Sequence, residues 1–255
     1  MKAGEYITLL NLAKKRLRSE DDYRNFQAYQ AKLIIKYYFE KHAITLNGKI
    51  VLDLGSGLGG YSQEMIKLGA TVISIDLIQR LEKWGGLHLP IVANALYIPI
   101  RDETIDFVFC ASLIEHVSDP FNLVKEIKRV LKSGGHCYLS FPPFYSIRGG
   151  HQFSPFHYLG ERWALRLSRL FKKALPDWVI KVYKLSSSPP SFAEAYRNWG
   201  LFKLTIAEAA RIIMNCNGLE IIDVSPRYLP LNTARWPLLG ELLTCHVQFL
   251  IKKSA

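Results

Sequence analysis

The chain has 255 residues, 49% of them apolar and 22% charged, with a formal net charge of +11. No apolar run approaches the roughly 20 residues that span a bilayer, and the first dozen residues lack the apolar core and cleavage site of a secretory signal, so a cytoplasmic protein is expected. Cys110, Cys137, Cys216 and Cys245 lie far apart with no C-x-x-C pair; they read as reduced, mostly buried thiols rather than a disulfide framework or a zinc module.

Residues 20–42 read as a helix. Ser19 can cap it, Asp21 and Asp22 suit its positive start, and Phe26, Tyr29, Leu33 and Tyr37 recur at helical spacing. Short apolar runs then alternate with helical patterns: a strand at 49–54, a helix at 61–68 ended by Gly69, and strands at 71–76, 90–93 and 105–110. A helix at 120–131, ended by Ser133-Gly134-Gly135, leads into a fifth strand at 136–141. This rhythm predicts right-handed βαβ units and a doubly wound, mostly parallel α/β sheet. Pro142-Pro143 breaks it, and an aromatic, basic insert runs over 144–203. A helix at 205–215 and strands at 219–224 and 243–251 follow; two strands joined only by a loop pair antiparallel. The expected organisation is one domain: N-terminal helices at 1–46, a core at 47–143 and 204–255, and the insert between, with seven strands in all.

The sharpest local signal is Asp53-Leu54-Gly55-Ser56-Gly57-Leu58-Gly59-Gly60, between a strand and a helix. Gly55, Gly57 and Gly60 fit G-x-G-x-x-G, and Asp76 stands about 20 residues on, where an acid can accept both ribose hydroxyls. The glycines alone do not separate nicotinamide from other adenosine cofactors. A diphosphate here would meet the charge of Asp53, whereas a methionine tail carrying an ammonium and a sulfonium suits it.

The same residues resemble the D/E-x-G-x-G-x-G motif of class I S-adenosylmethionine-dependent methyltransferases, with Asp76 in the place of their ribose-binding acid. Ala93-Asn94-Ala95-Leu96-Tyr97-Ile98-Pro99-Ile100 is similar to their G-D-A-x-x-L-P-F segment, with Asn94 where Asp is usual; its carbonyl oxygen can still accept from the adenine amino group. Leu113-Ile114-Glu115-His116-Val117 resembles their E-H-V turn after the fourth strand. Glu126-Ile127-Lys128-Arg129-Val130-Leu131-Lys132-Ser133-Gly134-Gly135 resembles E-x-x-R-V-L-K-P-G-G, with Ser133 replacing Pro. The resemblance covers about residues 48–141, and more loosely 204–252 with its antiparallel last strand. It implies S-adenosylmethionine as cofactor, held by Asp53, Gly55, Ser56, Gly57, Gly59, Asp76, Leu77, Asn94, Ala95, Leu96 and Ser112.

Methyl transfer is an in-line displacement, so holding the acceptor and excluding water supply much of the acceleration; an acceptor hydroxyl also needs a base. His116, at the carboxyl edge of the fourth strand, is the candidate base, or else a turn residue bonded to the next helix. Glu115 would orient it or contact cofactor. His151 and His157, among aromatics beside Gly149-Gly150, read as a hinged substrate loop, with Tyr145 and Arg148 available to a hydroxylated or anionic acceptor. No third ligand stands near the two loop histidines, so no metal is expected.

Within the insert, residues 161–175 read as a helix with a basic face of Arg162, Arg166, Arg169 and Lys173 beside an apolar face of Trp163, Leu167, Leu170 and Ala174. Trp178, Val179, Ile180, Val182 and Tyr183 follow, interleaved with Lys181 and Lys184. Three readings compete: a lid packed on the core, a helix resting on an anionic membrane surface near a lipid- or glycan-carrier-linked acceptor, and, less favoured, an RNA-binding face. The expected function is O-methylation of a small or carrier-linked metabolite. An RNA methyltransferase, a nicotinamide-dependent oxidoreductase and a non-catalytic binding protein are the alternatives. Oligomeric state leaves no trace in the sequence.

Overall fold

The computed structural model describes residues 1–78, 88–171, 175–182, 185–186, 189–196, 199–237 and 239–254. The chain forms two compact units: residues 1–110 with 126–137 and 253–255, and residues 111–125 with 138–252. The strands make one seven-stranded sheet in the order β3-β2-β1-β4-β5-β7-β6, with β7 antiparallel. This is the expected architecture.

In the first unit, α1 (Ala3–Lys15) precedes α2 (Glu20–Ile34). Ser19 caps α2 by accepting from the Asp22 N–H, as its sequence predicts; such a cap contributes about 1 kcal/mol. The helical path continues through a π turn, Ile35–Phe39, and a 3-10 turn, Glu40–His42, ending where Ala43 turns left-handed. Strand β1 (Ile50–Leu54) leads into α3 (Gly60–Lys67), then β2 (Thr71–Asp76), β3 (His88–Val92) and β4 (Ile105–Ala111). β1 pairs in parallel with β2 and β4, Leu54 standing beside Ile75 and Cys110. Val51, Leu52, Leu54, Val72, Ile75 and Val108 are fully buried, which is why these strands read as unbroken apolar runs. Asp106 accepts from the Ile50 N–H and from Lys132 Nζ, both at 2.9 Å, and ties the strand bottoms together.

Helix α4 (Pro120–Val130) and strand β5 (Leu131–Phe141) run through both units. β5 starts at Leu131, earlier than expected: residues 133–135 continue in extended backbone and do not stop the chain, and Gly134 alone takes a positive φ, of 75°.

The second unit contains the whole insert. Its helices are α5 (Glu161–Leu170) and α6 (Asp177–Val182), followed by α7 (Ile206–Met214), β6 (Leu219–Pro226), a short α8 (Gly240–Leu243) and β7 (Val247–Lys253). Thr205 and Glu208 form a reciprocal capping box at the start of α7. β7 therefore begins later than its apolar run suggests, because residues 240–243 close a helical turn. The insert builds its own core from Phe144, Phe153, Ala164, Leu165, Phe192, Ala195, Tyr196 and Leu201.

Two expectations about the insert change. α5 buries Ala164 and Leu165, while Trp163 is 52% and Leu170 70% exposed, so the face read as core-packing is open. The helix stops at Leu170, short of 175; Lys173, Ala174, Tyr183 and Lys184 lie outside the described residues. The Gly149-Gly150 pair is buried and is no hinge. A Cβ on Gly149 would stand 2.1 Å from the Pro143 carbonyl, and one on Gly150 would stand 2.3 Å from the His157 ring. Close packing requires glycine at both. Among the described residues, no helix is long and apolar enough to cross a membrane, and none of the four cysteines forms a disulfide, with Cys110, Cys137 and Cys216 buried.

Candidate active site

The loop between β1 and α3 owes its shape to three glycines at positive φ, Gly55 at 77°, Gly57 at 55° and Gly59 at 75°, a region that other residues enter only with strain. Its N–H groups are spent internally. Those of Gly55 and Ser56 both reach the Ile75 carbonyl, at 2.8 and 3.1 Å, that of Gly59 reaches Ser56, and that of Gly57 reaches Asp76 Oδ2 at 2.9 Å. Asp76 Oδ1 accepts from the Ile78 N–H at 3.1 Å. Each carboxylate oxygen keeps a further lone pair, enough for two ribose hydroxyls. A diphosphate-binding loop instead aims such N–H groups at its ligand. Leu77, more than a third exposed, follows Asp76 at the strand's end.

Asp53 begins the loop, but its carboxylate turns inward. It accepts from Ser62 Oγ, which lies 2.9 Å from Ser74 Oγ, itself 2.8 Å from His88 Nε2. Burial pushes its pKa up to about 7. The charge argument made from Asp53 is therefore weaker than the sequence suggests, and the internally satisfied N–H groups carry the discrimination against a diphosphate. Two buried acceptors at this loop have no partner among the described residues: Ser56 Oγ, and Oε1 of Gln27 on α2. A Cβ on Gly57 would stand 3.7 Å from Gln27 Nε2, so Gln27 overlooks the loop. The donor set fits an adenosine cofactor with a methionine tail. Gln27 escaped the sequence reading because its position resembles any polar residue on an amphipathic helix.

The segment after β3 is pinned by the E-x-x-R pair. Arg129 donates to both Glu126 oxygens, to Asp102, and to the carbonyls of Ile98 and Ile100 at 2.7 Å; Glu126 accepts from the Ile98 N–H. This holds the turn in which Asn94 Oδ1 accepts from the Leu96 N–H at 3.0 Å, keeping a lone pair for an adenine amino group. Asn94 is exposed and Ala95 buried.

In the second unit, the backbone after β4 is strained at Ser112, which holds a φ of 56° while its N–H bonds the Ser140 carbonyl at 2.7 Å. The next turn, Ile114–His116, presents Glu115 and His116 together. Glu115 is only 2% exposed, and neither carboxylate oxygen has a hydrogen-bond partner among the described residues. Burial pushes its pKa up to about 8 and that of His116 down to about 4. His116 Nδ1–H donates to the Gly200 carbonyl at 2.7 Å, leaving the Nε2 lone pair 4.0 Å from Glu115 Oε1. His151 brings its Nε2 to 3.9 Å from the same oxygen, its ring 4.8 Å from that of His116. Tyr196 Oη donates to Gln152 at 3.0 Å and stands 3.4 Å from His151 Nδ1.

The structure thus joins His151 to Glu115 and His116, and gives His157 a different part. His157 is buried against Phe144 and Tyr158, with Nε2 3.2 Å from the Ser146 carbonyl; it supports the loop that carries His151. Tyr145 stacks beneath Lys203 Nζ, 4.9 Å from its ring centre, and Arg148 is exposed. Arg162, Arg166 and Arg169 line one open cleft of α5 with Leu165 and Pro190, although Arg169 is committed to the Pro189 carbonyl at 2.9 Å.

A family described as a methyltransferase domain matches residues 52–139. An uncharacterized methyltransferase of Mycobacteroides abscessus is 28% identical over 235 residues, covering 86% of this chain and 82% of that protein. A ubiquinone biosynthesis O-methyltransferase of Acinetobacter baylyi is 32% identical over 140 residues, covering 51% and 57%. The chain spans about half the length of other curated relatives that it matches, at 54%. Among solved structures, an S-adenosylmethionine-dependent methyltransferase from Mesorhizobium loti shares the fold with a TM-score of 0.55 at 17% identity, covering 84% of this chain and 95% of its own.

Proposed function

We propose, the chain being a member of the class I S-adenosylmethionine-dependent methyltransferases, that it methylates a hydroxyl oxygen of a small or carrier-linked acceptor. Bound, S-adenosylmethionine supplies an electrophilic methyl group on a sulfonium. The roles of Asp76, Ser56, Gln27 and the Asn94 turn are to bind its ribose, loop-facing polar groups and adenine. One observation carries the choice of oxygen: Glu115, His116 and His151 converge with unused acceptor atoms, where an O–H proton has to be handled. An amine acceptor that arrives neutral needs no such group. The likeness to an O-methyltransferase supports the same reading.

His116, read from sequence as the base, is held neutral with its Nε2 lone pair free, but burial makes it a weak base; Glu115 is the more basic partner. With no cation bound, this pair takes the proton leaving the acceptor once Glu115 is ionised, as pH rises through about 8. His116 Nδ1–H stays bonded to Gly200 throughout, fixing the ring.

Two measurements test the proposal. S-adenosylhomocysteine at 100 times its Kd should stabilise the chain by about 2.7 kcal/mol, and extracts incubated with methyl-labelled donor should yield a labelled methyl ether. Labelled amines alone would refute oxygen as the acceptor atom, and no thermal shift at millimolar ligand would refute donor binding.

A carrier-linked acceptor is favoured by the open face of α5, where exposed Trp163 and Leu170 border Arg162 and Arg166. Such a face suits an anionic bilayer surface. Sedimentation with anionic vesicles that persists in an Arg162→Glu, Arg166→Glu variant would exclude this.

A further inference from the structure

We infer that Glu115, His116 and His151 form a site for one divalent first-row transition-metal ion, a two-histidine, one-carboxylate set within the second unit. The ligand atoms that the three offer lie within 4.8 Å of one another, and both Nε2 atoms face Glu115 Oε1 at 3.9–4.0 Å. Bound at about 2.1 Å, ligand atoms sit about 3.0–3.4 Å apart, so closing on an ion needs a contraction of about 1 Å, within the reach of side-chain torsions.

Three features point to an ion rather than a chance cluster. The carboxyl is buried and neither oxygen makes a hydrogen bond among the described residues, so two polar atoms stand unsatisfied where a cation would compensate them. The tautomers are already set for coordination. His116 spends its Nδ1–H on Gly200. The Tyr196 hydroxyl gives its proton to Gln152 and so can accept from His151 Nδ1–H. Each imidazole thereby turns an Nε2 lone pair inward, with the outer-sphere hydrogen bond that metal-bound histidines carry. Finally, the ligands come from two separate elements, the turn after β4 and the loop after β5, and the second is locked by Gly150 against His157.

Other charges act on this site. Arg227, bonded to Tyr138 and Ser140, bears on Glu115, and both Arg227 and Arg148 bear on the neighbouring His246. They oppose a bare cation and favour an ion whose open positions carry an anionic oxygen. In purpose, the inference rests on the O-methylation reading. An acceptor hydroxyl coordinated here would lose its proton to water at a lowered pKa, the ion replacing a side-chain base, and its oxygen would then form the C–O bond as the C–S bond breaks.

The test uses the full chain stripped with chelator and titrated with Zn²⁺ by calorimetry, and with Co²⁺ by visible absorption. One ion per chain is expected, with Glu115→Gln and His151→Gln each weakening binding by at least about 100-fold and Tyr196→Phe by about 10-fold. Cys245→Ser should leave binding unchanged. No uptake by wild type at 100-fold excess would overturn the site, whatever the variants do. So would binding that survives Glu115→Gln or is lost in Cys245→Ser. S-adenosylhomocysteine is titrated in parallel. A chain that binds that ligand but takes up no ion sinks only this inference, and a chain that takes up the ion but fails to bind that ligand sinks only the methyl-transfer reading.

Discussion

Replacing Gly60 by alanine perturbs the donor loop from outside it. A Cβ there would stand 2.5 Å from both the Arg24 carbonyl and Gln27 Cβ, and 3.0 Å from the Ala28 nitrogen. Two of these atoms are backbone, so α2 has to move by several tenths of an ångström. Overpacking of this kind costs about 1–3 kcal/mol, offset by up to about 1 kcal/mol of helix propensity gained at the start of α3. The net loss, about 0–3 kcal/mol with a central value of about 1.5, should lower Tm by about 3–6 °C at this chain length. The control is Gly4→Ala in α1, where a Cβ meets nothing within 4 Å; the same substitution should raise Tm slightly. Moving α2 also displaces Gln27, so S-adenosylhomocysteine should bind about fivefold more weakly to Gly60→Ala, the equivalent of about one hydrogen bond, and normally to Gly4→Ala. Thermal melts and calorimetry on the two variants decide it. Equal Tm shifts, or unchanged affinity in a destabilised Gly60→Ala, would refute the placement of α2 over the loop.

Asp76→Ala removes one charge-assisted bond to the loop, one to Ile78, and the ribose contacts, so the Kd for S-adenosylhomocysteine should rise by at least about 100-fold, checked by calorimetry. Asp53 has a folded pKa raised from 3.8 to about 7 by burial. Its stability contribution is complete below the unfolded value and is lost as pH rises through about 7. The unfolding free energy of wild type, measured by urea titration, should therefore fall relative to Asp53→Asn between pH 4 and 7, by on the order of a few kcal/mol at about 1.4 kcal/mol per unit. Arg129→Lys should behave like Arg129→Met, each weakening cofactor binding, because a lysine ammonium cannot replace the planar fork that reaches two carbonyls and a carboxylate; full rescue by lysine would count against the clamp.

Most of the sheet was legible in the sequence because buried parallel strands leave an unmistakable trace. Runs such as 71–76 and 105–110 are rich in buried, mostly β-branched or aromatic residues on both faces. The donor loop was legible for the same local reason: Gly55, Gly57 and Gly59 occupy backbone conformations that little else tolerates, and Asp76 follows at the interval that one βα unit imposes. Boundaries failed where local signals competed with pairing. Residues 133–135 look like a stop yet continue β5, and the strand expected from Leu243 begins only at Val247.

The acceptor side was decided by tertiary structure alone. Helical periodicity put Trp163 and Leu170 on one apolar face, which the lid reading would bury; burial depends on what packs opposite, and Ala164 and Leu165 took that place. Sequence proximity paired His151 with His157, whereas folding put a packing histidine beneath the loop and carried the other to Glu115 and His116, three dozen residues back along the chain. Periodicity and spacing report the backbone's local conformation, which neighbouring residues largely determine. Which side chains meet across separate loops, and whether a buried carboxylate finds a partner there, depends on long-range packing that no local pattern encodes.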